Sequence, residues 1–123
     1  MHILEVVGRI FLSVLFLING ISKILYYEGT LEYMENFNVP GYLLIPAIII
    51  EILFPLLVIV GYKTKFFAII LALFAILLAV IFHTDFSNQM QLMSFLKNFA
   101  IAGGFLIIFV RGAGKYSIDQ RLN

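Results

Sequence analysis

Four separate stretches of this chain are long and apolar enough to cross a lipid bilayer, and this leaves little choice of fold. A helix needs about 20 mostly apolar residues to span the hydrocarbon core. The stretches run from about Ile3 to Tyr26, Tyr42 to Gly61, Phe66 to His83, and Leu92 to Val110. None shows the apolar/polar alternation of a barrel strand. The expected fold is therefore all-α, an integral membrane four-helix bundle forming a single domain over residues 1–123. Composition agrees. Of 123 residues 63% are hydrophobic and 12% charged, whereas soluble domains run near a quarter charged.

Composition also narrows function. The formal net charge is +1, which offers no basic face to displace counterions from a duplex, so a nucleic acid partner is not expected. Cysteine is absent, which excludes a disulfide framework, a thiolate metal site and a thiol relay carried by this chain. The N-terminal stretch has the length of a signal peptide. No Lys or Arg precedes it, however, Arg9 lies inside it, and Ile18 to Lys23 is a poor cleavage site. An uncleaved membrane helix is the expectation.

The connectors give orientation. Tyr27 to Gly41 carries Glu28, Glu32 and Glu35 and closes on Val39-Pro40-Gly41, so a short surface helix stopped by the proline is expected there. Tyr62 to Lys65 is a tight basic turn, Thr84 to Gln91 is polar, and the tail after Val110 carries Arg111, Lys115 and Arg121. With four spans, the basic turn and the tail share one side and hold five of the eight Lys and Arg residues. The positive-inside rule puts that side, and both termini, in the cytoplasm of a cell (inner or plasma) membrane protein.

Ionisable groups at membrane depth cost about 2.5–3.5 kcal/mol each on insertion scales and so should face protein or the interface. In the first span Glu5, Arg9, Asn19 and Lys23 fall within an arc of roughly 120°, together with Ser13 and Gly20. Glu5 with Arg9, and Asn19 with Lys23, are four apart and within reach. Glu5 and Lys23 also lie close enough to the ends to snorkel. Glu51 sits near the middle of the second span among isoleucines, where a lone carboxylate would protonate or find a cation. Arg9 and Lys23 lie about 9–12 Å on either side of that level. Glu51 then either fixes helix packing as a buried ion pair or binds a ligand or proton. In the third span Ala68, Ala72, Ala75 and Ala79 make a small-residue packing seam. His83 continues it at the outer end, as an interfacial residue or a ligand contact. A metal is not expected, since zinc needs several ligands. Lys97 shares a face of the fourth span with Ala100 and Gly104, pointing inward or snorkelling. By depth, Asn19, Lys23, His83 and Lys97 belong to the outer half with Glu51 at its floor. A cationic pocket of this kind suits a carbonyl, carboxylate or phosphate on an otherwise apolar molecule, such as a quinone or a lipid. Arg9, Asn19, Lys23, Glu51, His83 and Lys97 are the candidate ligand-binding residues; no catalytic residue stands out.

Several segments resemble a known family. Phe16-Leu17-Ile18-Asn19-Gly20-Ile21-Ser22-Lys23-Ile24-Leu25 resembles the first helix of the DoxX family of small membrane proteins, with Arg9 matching its earlier arginine. Phe37-Asn38-Val39-Pro40 resembles the loop before its second helix, and Glu51 and Gly61-Tyr62-Lys63-Thr64-Lys65 resemble that helix's glutamate and basic turn. Leu96-Lys97-Asn98-Phe99-Ala100 is similar to its fourth-helix start, and Gly112-Ala113-Gly114-Lys115-Tyr116-Ser117-Ile118-Asp119 to its terminal signature. Pro55 stands where the family often has glycine. The resemblance implies a four-helix membrane protein from a mostly uncharacterised group. The group is named after a small subunit of a quinone-linked oxidase complex and has relatives in oxidative-stress and thiol-handling complexes. An accessory subunit of such a complex is the first functional expectation, with a quinone as the cofactor it would admit and membrane lipids, partner proteins or further copies of the chain as partners. A structural or assembly protein and a small transporter are the alternatives. Independent enzymatic activity is the less favoured reading. In the terminal signature, Gly112 and Gly114 can stop a helix, and Arg111 and Lys115 can meet anionic headgroups as a topological anchor.

Overall fold

The computed structural model describes residues 2–114 and 116–122; Lys115, proposed above as a headgroup contact, lies outside them. The elements are α1 (His2–Leu25), α2 (Tyr27–Asn36), a 3₁₀ turn (Gly41–Leu43), α3 (Leu44–Val60), α4 (Thr64–Phe82), α5 (Gln89–Arg111) and α6 (Ile118–Leu122). The four long segments are each apolar and long enough to cross a membrane. Each begins and ends within about three residues of the stretch read from hydropathy. The connector helix is α2, which ends before Pro40.

Local chemistry explains the boundaries. Gly61, at φ 79°, closes α3 in the left-handed conformation that glycine adopts without strain. Asn88 caps α5 by accepting hydrogen bonds from the amides of Met90 and Gln91. Pro46 falls in the first turn of α3, where no N–H is needed, whereas Pro55 lies inside the helix and gives no N–H to the Glu51 carbonyl one turn back.

The long helices pack as a closed ring, α1 on α3, α3 on α4, α4 on α5 and α5 on α1. The α4–α5 contact is the most extensive. The expected alanine seam is its basis: Ala68, Ala72, Ala75 and Ala79 are all buried. Ala68, Ala72 and Ala75 pack in a core with Phe16 of α1, Val58 of α3, and Ala102 and Phe105 of α5. Small side chains let backbones approach where lipid supplies no hydrophobic drive between helices. Two glycines serve the same purpose on the other contacts. A Cβ at Gly20 would lie 2.6 Å from Ile52 Cγ1, and one at Gly104 would lie 2.7 Å from Leu12 Cδ2.

Candidate functional site

Apart from Ser13 in the middle of α1, the buried polar groups fall into two clusters, one on the α2 side of the bundle and one at the opposite end. Toward the α2 end, Glu51 is fully buried in α3. Its two carboxylate oxygens accept hydrogen bonds from Lys23 Nζ at 2.7 and 2.6 Å. Gly20, one turn before Lys23, lets α1 approach α3 closely enough for this bridge, since its missing Cβ would lie 3.2 Å from Glu51 Cβ. Desolvating two charges is offset only when geometry and hydrogen bonding are good, as they are here.

Beside this pair lies a cavity of about 540 Å³. Phe16, Ile50 and Phe74 are among its apolar walls. Lys23, Asn19, His83 and Lys97 line it, with Thr30, Ser94 and Asn98. Tyr33 and Met34 of α2 also line it, and Tyr33 stacks on Phe82 at the end of α4 with centroids 5.4 Å apart. The surface helix therefore covers one end of the cavity. His83 Nδ1 lies 3.0 Å from Gln91 Oε1. Four of the six candidate residues thus share one cavity, and Glu51 stands behind Lys23 without lining it. Thr30 was not legible as a site residue, because its position depends on how α2 folds back over the bundle. Asn98 was visible only as the neighbour of Lys97.

Arg9 belongs to the other cluster. It is buried and turned to the opposite end, where Nη1 donates to the Val58 carbonyl at 3.1 Å and Nη2 donates to the Tyr116 carbonyl. Glu5, four residues before it, faces His2 Nδ1 at 3.4 Å and forms no hydrogen bond to Arg9. The terminal signature folds back over this end. Asp119 accepts from the Lys63 amide at 2.6 Å and from the amide and hydroxyl of Thr64 at 2.8 and 2.6 Å, capping α4. The Asp119 amide in turn donates to the Gly61 carbonyl at 2.8 Å. Lys63 is held at φ 45°, an uncommon conformation for a residue with a side chain, and the Asp119 bond fixes it there. Gly61 and Gly114 make room: a Cβ at either would collide with Ser117 or Glu5 respectively. Burial pushes the Asp119 carboxyl upward, but the Thr64 and Lys63 hydrogen bonds and the Arg9 charge outweigh it and hold the group below the usual carboxylate range. The tail is thus a structural clasp, with Asp119 as its main link. That role was not read from the sequence, although an acidic residue in the terminal signature was the available signal.

Among the described residues no group of three or more His, Cys, Asp or Glu side chains is placed to hold a metal.

Four membrane-length helices around a cavity open to polar groups at one end define a multi-pass integral membrane protein. Within that class the chain belongs to the DoxX family, whose model matches residues 4–84. It is 40% identical to the Escherichia coli inner membrane protein YqjF over 95% of this chain and 90% of that protein. It is 30% identical to the inner membrane protein YphA of the same organism over 97% of this chain and 90% of that protein. No solved structure matches it. The chain is accordingly a multi-pass protein of the cell inner membrane.

Proposed function

We propose that this DoxX-family protein binds the polar head of an apolar membrane molecule, a quinone or a lipid, in the cavity beside Lys23. In this reading it serves as an accessory subunit of a quinone-linked or oxidative-stress-related membrane complex. The observation that carries the reading is the cavity itself. Its walls are mostly apolar side chains, and Lys23, Asn19, His83 and Lys97 meet there. Binding sites of a few hundred cubic ångströms with apolar walls and few convergent polar groups are the usual form for small hydrophobic ligands. The charge balance favours a carbonyl or anionic head. Lys23 is neutralised by Glu51, while among the described residues Lys97 has no carboxylate within ion-pairing distance.

Charge distribution supports an orientation with the basic turn and both termini in the cytoplasm. The cavity then opens in the opposite half of the membrane. Purification from native membranes, with mass spectrometry of the proteins and lipids that accompany the chain, is the direct experiment. A quinone or lipid held by the wild type and lost from Lys97→Gln is the expected result. A complex whose quinone dependence is unchanged by Glu51→Gln and by Lys97→Gln would count against the reading.

A further inference from the structure

A second recess lies at the basic end of the bundle, away from the cavity above. It is a groove of about 480 Å³ between the start of α4, the end of α5 and the folded-back tail. Lys63, Lys65 and Arg111 line it, with Gly112, Gly114 and Asp119 in its wall. Three cationic residues from two helices and a turn thus border one groove, with the Lys63 ammonium 5.8 Å from the centroid of the Tyr62 ring. Among the described residues none of the three has a carboxylate within ion-pairing distance. Asp119 offsets part of this charge from the wall, but its oxygens are engaged by Thr64 and the Lys63 amide, so it ion-pairs with none of the three and leaves a cationic excess. Lys65 reaches across to α5, so that a Cβ at Gly112 would lie 3.4 Å from its Cε. This brings its ammonium toward the residue next to Arg111. Phe66, 57% exposed, lies on the same groove.

We infer that this groove binds an anionic phosphate group. The cations supply charge and donors suited to phosphate oxygens. The groove sits where the spans α4 and α5 leave the apolar segment, and Phe66 offers a surface for an acyl chain. A lipid headgroup and free phosphate share this chemistry. The inference stands apart from the cavity and from its ligand.

The groove differs from a general basic surface because one wall is the clasp. Gly112 and Gly114 turn the chain back at φ 83° and 91°, and Asp119 fastens it to the start of α4. This makes a counter-intuitive expectation. Removing the Asp119 charge strengthens a simple positive field, but it releases the wall of a built groove and weakens binding.

The test uses the full chain purified in detergent and native mass spectrometry with phosphatidylglycerol, phosphatidylcholine and inorganic phosphate. The wild type is expected to retain phosphatidylglycerol over phosphatidylcholine. Lys65→Gln and Arg111→Gln each lower that retention about fivefold, the factor that follows from one cation at a charged membrane surface. Asp119→Asn lowers it too. Arg121→Gln, an exposed cation of the same tail outside the groove, leaves it unchanged. Inorganic phosphate that displaces the lipid identifies free phosphate as the occupant, and failure to displace identifies the headgroup; each supports a phosphate site. Three results overturn the inference. They are equal retention of the two lipids with no binding of phosphate, a loss in Arg121→Gln equal to that in Lys65→Gln, and retention in Asp119→Asn at or above the wild type.

Discussion

Glu51 has no exposure to solvent or lipid, and Lys23 supplies hydrogen bonds to both of its carboxylate oxygens. Neither partner can be removed alone without stranding the other. Lys23→Met is expected to destabilise the protein by about 3 kcal/mol, the lower end for breaking a buried pair, because the lysine is partly exposed. Lys23→Met combined with Glu51→Leu should recover most of that loss, since an apolar pair of similar volume is often neutral. Thermal unfolding in detergent of the two single variants and the double one measures both. If the double variant is as unstable as Lys23→Met, the pair is not an isolated unit. Asp119 gives a pH dependence of known sign. Its folded-state pKa lies below the unfolded value of about 3.9, so its contribution is complete above that value. It is lost as pH falls through the lower folded-state value. The amides of Lys63 and Thr64 should therefore lose hydrogen-exchange protection in acid below about pH 4, and in Asp119→Asn, which keeps only one acceptor oxygen, their protection at neutral pH should fall below that of the wild type. Protection in Asp119→Asn equal to the wild type would remove the carboxylate from the clasp.

At the scale of elements, the contacts between helices are set by what is missing from side chains. The four alanines of α4 are 0–2% exposed. Ala75→Leu adds a large side chain to a closed seam and should destabilise by about 1–3 kcal/mol, the usual range for overpacking. Gly20→Ala tests the α1–α3 contact. Its Cβ would lie 2.6 Å from Ile52 Cγ1, and the nearby Lys23–Glu51 bridge limits how far α1 can back away. A lower unfolding temperature is expected for both variants. An unchanged value for Gly20→Ala would mean that Ile52 reorients freely. Hydrophobic length revealed the four spans, and the i, i+4 spacing of alanines revealed the seam, because both are local properties of a helix. The partner of Glu51 was legible only as a choice between two cations at similar distances on either side of it. Proximity between α1 and α3 resolved it, and that proximity depends on packing around Gly20.

The whole molecule is closed at one end by its own C-terminal segment and contains the larger cavity toward the other. Truncation after Arg111 should leave the four spans inserted but lower thermal stability. Arg9 would lose its Tyr116 carbonyl partner, and a hydrogen bond to a charged group contributes about 1.5–3 kcal/mol. Arg9→Leu should then be better tolerated in the truncated protein than in the full chain. Equal effects in the two backgrounds would show that the tail does not act through Arg9. By itself the sequence determined the membrane class, the four candidate spans, the short connector helix and the place of each polar group along its span. These follow from hydropathy and from a fixed rise per residue along a helix. Position along a helix alone, however, cannot say which side of the bundle a polar group faces. Only the tertiary structure joined Lys23 to Glu51, gathered Asn19, His83 and Lys97 around one cavity, and turned Arg9 away to hold the tail. The physical reason is that these partners lie far apart along the chain, and their meeting depends on which helix faces can approach closely.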